Sequence, residues 1–421
     1  MDPAPGALPA TAARAGANPR RLRVLVLDEY FPYPPDSGKP IRTWNLLRRL
    51  ATRHDITLLC HGHLTPEQAE AARAAGMNVE SVDAIAPEGG LALYAKLLLN
   101  LASAYPYSVA KHHTARFREK LRTVLGNGGF HLVHCEWTPY ACYLRGITVP
   151  TLIATHNIES QIWARRAERA ANPLAKIFFR IQASKMERFE RSVLARAQAV
   201  TGVSAADAAQ AKAWGAAQVS VVDNGVDLQH FSPQGEGAAD RAVFIGALEW
   251  FPNVDAVQFF VDAIQPRLEK LLPNFRTKII GRRAPESLKR FLVGRNGIDF
   301  AGEVPDTRPH LAEAGLVIVP LRIGGGSRLK ILEALAMGKA VISTTIGAEG
   351  LAVTHGKDIL LADSPEDFAG AMAELSGSPE LRRQLAAAGR ALVERSYGWE
   401  ALSEKAEQVW LETAALREEA R

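Results

Sequence analysis

Cysteine is scarce in this chain. Cys60, Cys135 and Cys142 stand at spacings that suggest neither a disulfide framework nor a set of metal ligands. A reducing cytoplasm fits such a sequence best. Also missing is any long uncharged apolar run of the kind that spans a bilayer. The first twenty residues are rich in Ala, Pro and Gly but lack the apolar stretch of a signal peptide, so residues 1–20 are expected to form a disordered tail. No G-x-G-x-x-G follows the first strand-like run, which leads instead into Pro34-Pro35-Asp36-Ser37-Gly38, and an ordinary dehydrogenase fits poorly. What is present describes a soluble globular protein, 47% hydrophobic and 23% charged, with a net charge of +5. The basic balance suits an anionic partner, although charge alone does not separate nucleotide, nucleic acid and anionic lipid. A length of 421 residues predicts two domains.

Strand-like apolar runs alternate with helical patterns from Leu22 almost to the C-terminus, which predicts parallel sheets covered by helices on both sides. In the first half the runs are Arg23 to Leu27, Asp55 to Leu59, His131 to His134, Thr151 to Ala154, Ala199 to Val203 and Val219 to Val222. In the second they are Ala242 to Ile245, Arg276 to Ile280, Gly297 to Phe300, Leu316 to Pro320 and Ala340 to Ser343. The turn-rich polar stretch Ser232 to Gly237 separates the two sets. The expected fold class is α/β, with two facing Rossmann-like, doubly wound parallel-sheet domains. Ligands of such sheets sit beyond the carboxyl ends of the strands, so two facing domains would share one cleft.

The strongest local signal is Gly324-Gly325-Gly326-Ser327-Arg328-Leu329-Lys330-Ile331-Leu332-Glu333-Ala334. It follows the apolar run Gly315 to Leu321 and opens a helix predicted over Leu329 to Met337, with Ser327 as a candidate N-cap. The first helical turn carries free N–H groups and partial positive charge, so Arg328 and Lys330 are out of place there. A bound anion, cradled by glycine backbone N–H groups, resolves that conflict; a flexible loop with two solvated cations is the alternative. Glu333 either forms an i,i+3 ion pair with Lys330 or accepts hydrogen bonds from a sugar diol beside the phosphate site.

Other loops follow the same grammar. Gly38 could bring the backbone close to a ligand at the start of a helix predicted from about Ile41 to Leu50, whereas Lys39 reads better as part of a turn that redirects the chain. His156 follows a strand and is either a cleft residue or an ordinary strand-end histidine. In the second half Gly246, Gly281, Gly302 with Val304, and Gly347 with Glu349 and Gly350 each follow a strand, and Asn253 is a candidate N-cap. One such glycine is turn chemistry; their recurrence at one sheet edge is harder to attribute to packing.

Taken in order, these runs resemble the retaining, nucleotide-sugar-dependent glycosyltransferases of the GT-B fold, glycosyltransferase family 4. The matching runs are Pro35-Asp36-Ser37-Gly38 with Arg42, Thr155 to Ser160, Asp223 to Asp227 with Phe231 and Pro233, Gly246 to Asn253, Gly302 to Pro305, Gly324 to Ala334, Thr345 to Leu351, and Ser396-Tyr397-Gly398-Trp399. The resemblance covers nearly everything from Arg23 to about Trp410. It implies an acceptor-side domain over 21–231, a linker over 232–240, a donor domain over 241–398 and a final helix over 399–421 that crosses back to the first domain. Arg328 and Lys330 would hold the donor diphosphate and Glu333 the ribose, while His156 would face the sugar, making these four the catalytic set. Gly38, Gly246, Gly302, Val304, Gly324, Gly325, Gly326, Ser327, Glu349 and Gly350 would complete the donor site. Two departures stand out. Gly325 occupies the place of the family's first glutamate, and Ala247 and Asn253 stand where some members carry Arg and Lys.

The resemblance implies hexosyl transfer from a nucleotide diphosphate sugar, a co-substrate rather than a cofactor, to a hydroxyl of a glycan, lipid-linked or small-molecule acceptor. The expected setting is polysaccharide or glycoconjugate synthesis, with no nucleic-acid partner. No Asp-x-Asp motif occurs, in keeping with basic residues replacing a metal ion. Rival readings on the same scaffold are a sugar-nucleotide epimerase or hydrolase and a non-catalytic sugar-nucleotide-binding protein. The Leu- and Ala-rich stretch Leu91 to Tyr107, followed by the basic residues Lys111 to Arg122, reads either as a core helix before a solvated one or as a surface for peripheral contact with the inner face of a membrane. The first of these is the expectation.

Overall fold

A computed structural model describes residues 20–36, 38–86, 89–170, 172–323 and 328–419. Seven strands form the first sheet: β1 (Arg23–Leu27), β2 (Asp55–His61), β3 (Asn78–Val82), β4 (Leu132–Cys135), β5 (Thr151–Thr155), β6 (Ala199–Gly202) and β7 (Val219–Val221). Their order is β3-β2-β1-β4-β5-β6-β7 and every pairing is parallel. Six more form the second: β8 (Ala238–Ile245), β9 (Arg276–Ile280), β10 (Ile298–Gly302), β11 (Ala314–Val319), β12 (Ala340–Ser343) and β13 (Leu360–Leu361). Their order is β10-β9-β8-β11-β12-β13, again all parallel. Both sheets are therefore doubly wound, with the strand order reversing between β1 and β4 and between β8 and β11.

Burial on both faces explains why these strands read as unbroken apolar runs. In β1, Val24 and Val26 enter the core on one side of the sheet, and Leu25 and Leu27 the core on the other. The second domain closes around a single large core built on Val317, Ile318, Ile331 and Leu335. The last helix, Trp399–Glu419, packs Trp399, Leu402, Val409 and Trp410 into the first domain's core, beside the helix Gly38–Leu50. The chain a few residues before the linker is tied to the start of this helix by the bridge between Val226 and Gly398.

Several local expectations need correction. Strands β3 and β13 were not expected: β3 (Asn-Val-Glu-Ser-Val) is a half-polar edge strand and β13 has two residues, so neither carries a full apolar run. The first-domain helix begins at Gly38, three residues before the expected start. Asn253 does not cap its helix, which begins at Phe251 after Trp250. The candidate cap Ser327 lies outside the described residues, and Arg328 occupies the N-cap position of the helix Leu329–Ala336. The stretch after Leu91 is not a core helix: helix Gly90–Asn100 leaves Tyr94, Leu98 and Leu99 exposed.

Candidate functional site

The carboxyl ends of β1, β4 and β5 face those of β8 and β11 across a cleft. One cavity of about 610 Å³ is lined by Gly38, His156 and Asn224 of the first domain and by Gly246, Asn253, Arg328, Lys330 and Glu333 of the second. A neighbouring cavity of about 240 Å³ shares His156, Asn224 and Arg328 and adds Glu349, Gly350 and Tyr397. The two join where His156 and Arg328 meet. Eight sequence-predicted site residues thus line one continuous cleft. Gly302 and Val304 line neither cavity. Gly302 ends β10 in the left-handed region, its carbonyl accepts a hydrogen bond from the Gly281 N–H at 2.8 Å, and Val304 packs against the second core. Gly324, Gly325, Gly326 and Ser327 lie outside the described residues.

Lys330 sits in the first turn of its helix and points its ammonium into the cleft floor. Its Nζ donates to Asn253 Oδ1 at 2.7 Å and stands 4.6 Å from the centre of the Phe244 ring. Asn253 is held in turn by a bond from its Nδ2 to the Ala247 carbonyl, 2.8 Å. Gly246 makes this arrangement possible: a Cβ there would come within 2.9 Å of both Lys330 Nζ and Asn253 Cγ. Burial, with help from nearby Arg328, pulls the Lys330 pKa down to about 7, and Glu333 opposes the shift. Burial likewise pushes the Glu333 carboxyl up to about 7 against the pull of Lys330. Two groups one helical turn apart are both drawn toward neutrality, a pattern typical of functional sites.

Arg328 is buried and already has partners. Its Nη2 donates to the Ile346 carbonyl at 2.9 Å and to Glu349 Oε2 at 3.2 Å, and its Nε donates to the Glu349 carbonyl at 3.2 Å. It therefore ties the loop after β12, including Gly350 with φ +86°, to the start of the Leu329 helix. Burial lowers its pKa while Glu349 opposes the shift.

Across the cleft, His156 Nε2 lies 3.2 Å from Glu136 Oε1. The other Glu136 oxygen lies 3.0 Å from His134 Nε2, and Thr43 Oγ1 donates to Oε1 at 2.8 Å. Although burial opposes its ionisation, the two imidazoles hold the Glu136 carboxyl well below the usual carboxylate range. Trp410 of the last helix donates from Nε1 to His134 Nδ1 at 3.2 Å. The helix that begins at Glu159 is anchored by Glu190, which accepts from the Glu159 N–H at 2.7 Å and the Ser160 N–H at 3.1 Å. Burial still pushes the Glu190 carboxyl up to about 7. Lys39 lines the cleft, but its ammonium is committed to Asp28. One ion pair crosses between the domains here, Arg282 Nη1 to Asp36 Oδ2 at 3.1 Å.

Glu136 was missed in the sequence. Its signal was a charged residue directly after the four apolar-context positions of β4, in His134-Cys135-Glu136. The pairing of Asn253 with Lys330, 77 residues apart, had no local signal at all.

Comparison with known proteins agrees with this geometry. Residues 38–230 match the family model for Glycosyltransferase Family 4, and residues 239–378 the model for Glycosyl transferases group 1. The two matches fall on the two domains, and the chain belongs with the glycosyltransferases of GT-B fold. It is 32% identical over 217 residues to the D-inositol 3-phosphate glycosyltransferase of Kribbella flavida, covering 44% of this chain and 48% of that protein. It is also 32% identical over 152 residues to a GDP-mannose-dependent monoacylated alpha-(1-6)-phosphatidylinositol monomannoside mannosyltransferase of Corynebacterium glutamicum, covering 33% and 40%. The chain thus spans about half or less of the length of these curated relatives. Whole-chain similarity is structural. Sucrose-phosphate synthase of Thermosynechococcus elongatus superposes with a TM-score of 0.69 at 17% identity, over 94% of this chain and all of that one. HepE of Anabaena, solved in complex with UDP, gives 0.64 at 14% identity, over 92% and 99%. At these identities the likeness is one of fold.

Proposed function

We propose that the protein transfers a hexosyl group from a nucleoside diphosphate sugar to an acceptor hydroxyl with retention of anomeric configuration, as a family 4 enzyme. The observation that carries this reading is the placement of Lys330 and Glu333 on one helical turn at the cleft floor, opposite His156 and Gly38. The diphosphate would lie at the start of the Leu329 helix, where Lys330, Arg328 and the helix N–H groups meet the charge that develops on the leaving group. Glu333, one turn deeper, would accept hydrogen bonds from the ribose hydroxyls. His156, backed by the ionised Glu136, would face the transferred sugar. The remaining donor contacts would come from Gly246, Glu349 and Gly350.

The Lys330 and Arg328 cations would fill the counter-ion role that a metal serves elsewhere, so the reaction would need no cofactor. One relative named for GDP-mannose and a structure solved with UDP support a nucleotide-sugar donor, and the phosphatidylinositol monomannoside in the same relative's name supports an acceptor of the glycan or lipid-linked kind in glycoconjugate synthesis. The test is a transfer assay with UDP- and GDP-hexoses and cell-envelope acceptor extracts, in EDTA, with the product anomer read by NMR. An α-donor giving an α-linked product in EDTA is expected. An inverted product refutes retention, metal dependence refutes the counter-ion assignment, and free sugar regardless of acceptor refutes transfer.

A further inference from the structure

The helix Gly90–Asn100 and the start of the helix Pro173–Leu194 each present apolar side chains that nothing covers among the described residues. On the first helix, Leu93, Leu97 and Asn100 face inward while Tyr94, Leu98 and Leu101 follow the same spacing on the outer side. Tyr94 is 66% exposed, Leu98 67% and Leu99 75%. On the second, Leu174 is 76% exposed and Ile177 54%. The two helices are fixed to each other: Lys185 Nζ donates to the Asn100 and Leu101 carbonyls at 2.7 and 2.9 Å, and Gln182 Nε2 donates to Asn100 Oδ1 at 2.9 Å. Solvent-facing leucines on a helix locked in place are unfavourable for a soluble monomer unless something binds them.

Charge indicates what binds. No Asp or Glu occurs from Gly89 to Arg118, nor from Asn172 to Met186, a stretch that carries Lys176 and Arg180 beside the buried Lys185. Tyr105, whose carbonyl is bonded to the Asn100 side chain, also lines a groove of about 760 Å³ with Arg118, Arg122 and Arg145. Arg122 and Arg145 are exposed, and neither has an acidic partner among the described residues. Arg116 and Lys120, by contrast, are neutralised by Asp83 and Glu80. A second copy of this chain would bring like charges together across such a face. An anionic bilayer meets both features, taking the leucines and the tyrosine into the interfacial layer and the arginines against lipid phosphates.

We propose that this surface docks the protein on an anionic phospholipid membrane, independently of what the cleft transfers. The test is flotation of the full chain with vesicles of phosphatidylcholine alone or with about 30 mol% phosphatidylglycerol. The wild type is expected to float with the anionic vesicles at low salt, to be released at high salt, and to ignore the neutral ones. Leu98→Glu/Leu99→Glu and Leu174→Glu/Ile177→Glu, checked for native circular dichroism, should each weaken partition by about tenfold or more. Arg122→Glu/Arg145→Glu should weaken it most at low salt. Failure of the wild type to float on anionic vesicles, or equal flotation of the leucine variants, overturns the proposal. So does light scattering that shows a wild-type dimer, converted to monomer by the leucine variants, without vesicle binding.

Discussion

Lys330 and Glu333 are each held away from the charge state they would have in water, and each shift has a stability consequence. For Glu333 the folded-state value of about 7 lies above the ordinary glutamate value of 4.5, so as pH rises between these values the unfolded chain ionises first and stability falls. Below that window the penalty is absent, and above it the penalty is complete. For Lys330 the folded value of about 7 lies below 10.5, so stability falls as pH drops through that window. Glu333→Gln should therefore raise the melting temperature at pH 8, by on the order of 1 kcal/mol in stability, while leaving it unchanged at pH 4, and it should lose transfer activity by about a hundredfold or more. A variant both active and no more stable would remove Glu333 from the site. Donor affinity should also depend on pH. A diphosphate prefers the protonated lysine, so affinity should fall as pH rises through about 7, and calorimetry of Lys330→Met should show that dependence flattened. The two cations of this turn were legible because their position at a helix start violates an electrostatic preference, and Glu333 was legible from its place one turn from Lys330. Glu136 was not, because a single acid after a strand has many ordinary explanations.

The elements of the site are set by close backbone approaches. Gly281 and Gly246 touch so closely that a Cβ on Gly281 would come within 2.0 Å of the Gly246 carbonyl oxygen. That contact is between backbone atoms, and Gly281→Ala should destabilise the second domain by about 1–3 kcal/mol in urea unfolding. Gly246→Ala meets side chains instead. It should displace Lys330 and Asn253 and weaken donor binding by about tenfold at modest loss of stability, as calorimetry would show. The buried strands were readable because two covered faces impose an apolar run, whereas β3, with one polar edge, left no such trace. The helix Gly90–Asn100 shows the converse: its leucines carry the same pattern whether covered by protein or by nothing, and only the packed structure tells the two apart.

At the scale of the molecule the two domains are joined by the last helix as well as by the linker. Trp410 fills the first domain's core and bonds His134, which contacts Glu136 and through it His156. Trp410→Ala should cost about 3–5 kcal/mol, and Trp410→Phe, which retains most of the packing but not the N–H, should lower turnover more than it lowers melting temperature. Equal turnover in Trp410→Phe would show that the chain of contacts from helix to cleft is structural only. The two-sheet plan was legible from alternating patterns, while the crossing helix was an implication of family likeness alone, since amphipathicity does not name a helix's partner.

The cleft's assignment rests on a diphosphate seated at the start of the Leu329 helix. The most direct measurement is calorimetric titration of UDP and GDP into the wild type and Lys330→Met at pH 6.5. One of the two nucleotides should bind the wild type with micromolar to millimolar affinity and bind the variant about tenfold more weakly or worse. Absence of binding by either nucleotide, or equal affinity in the variant, would contradict the account.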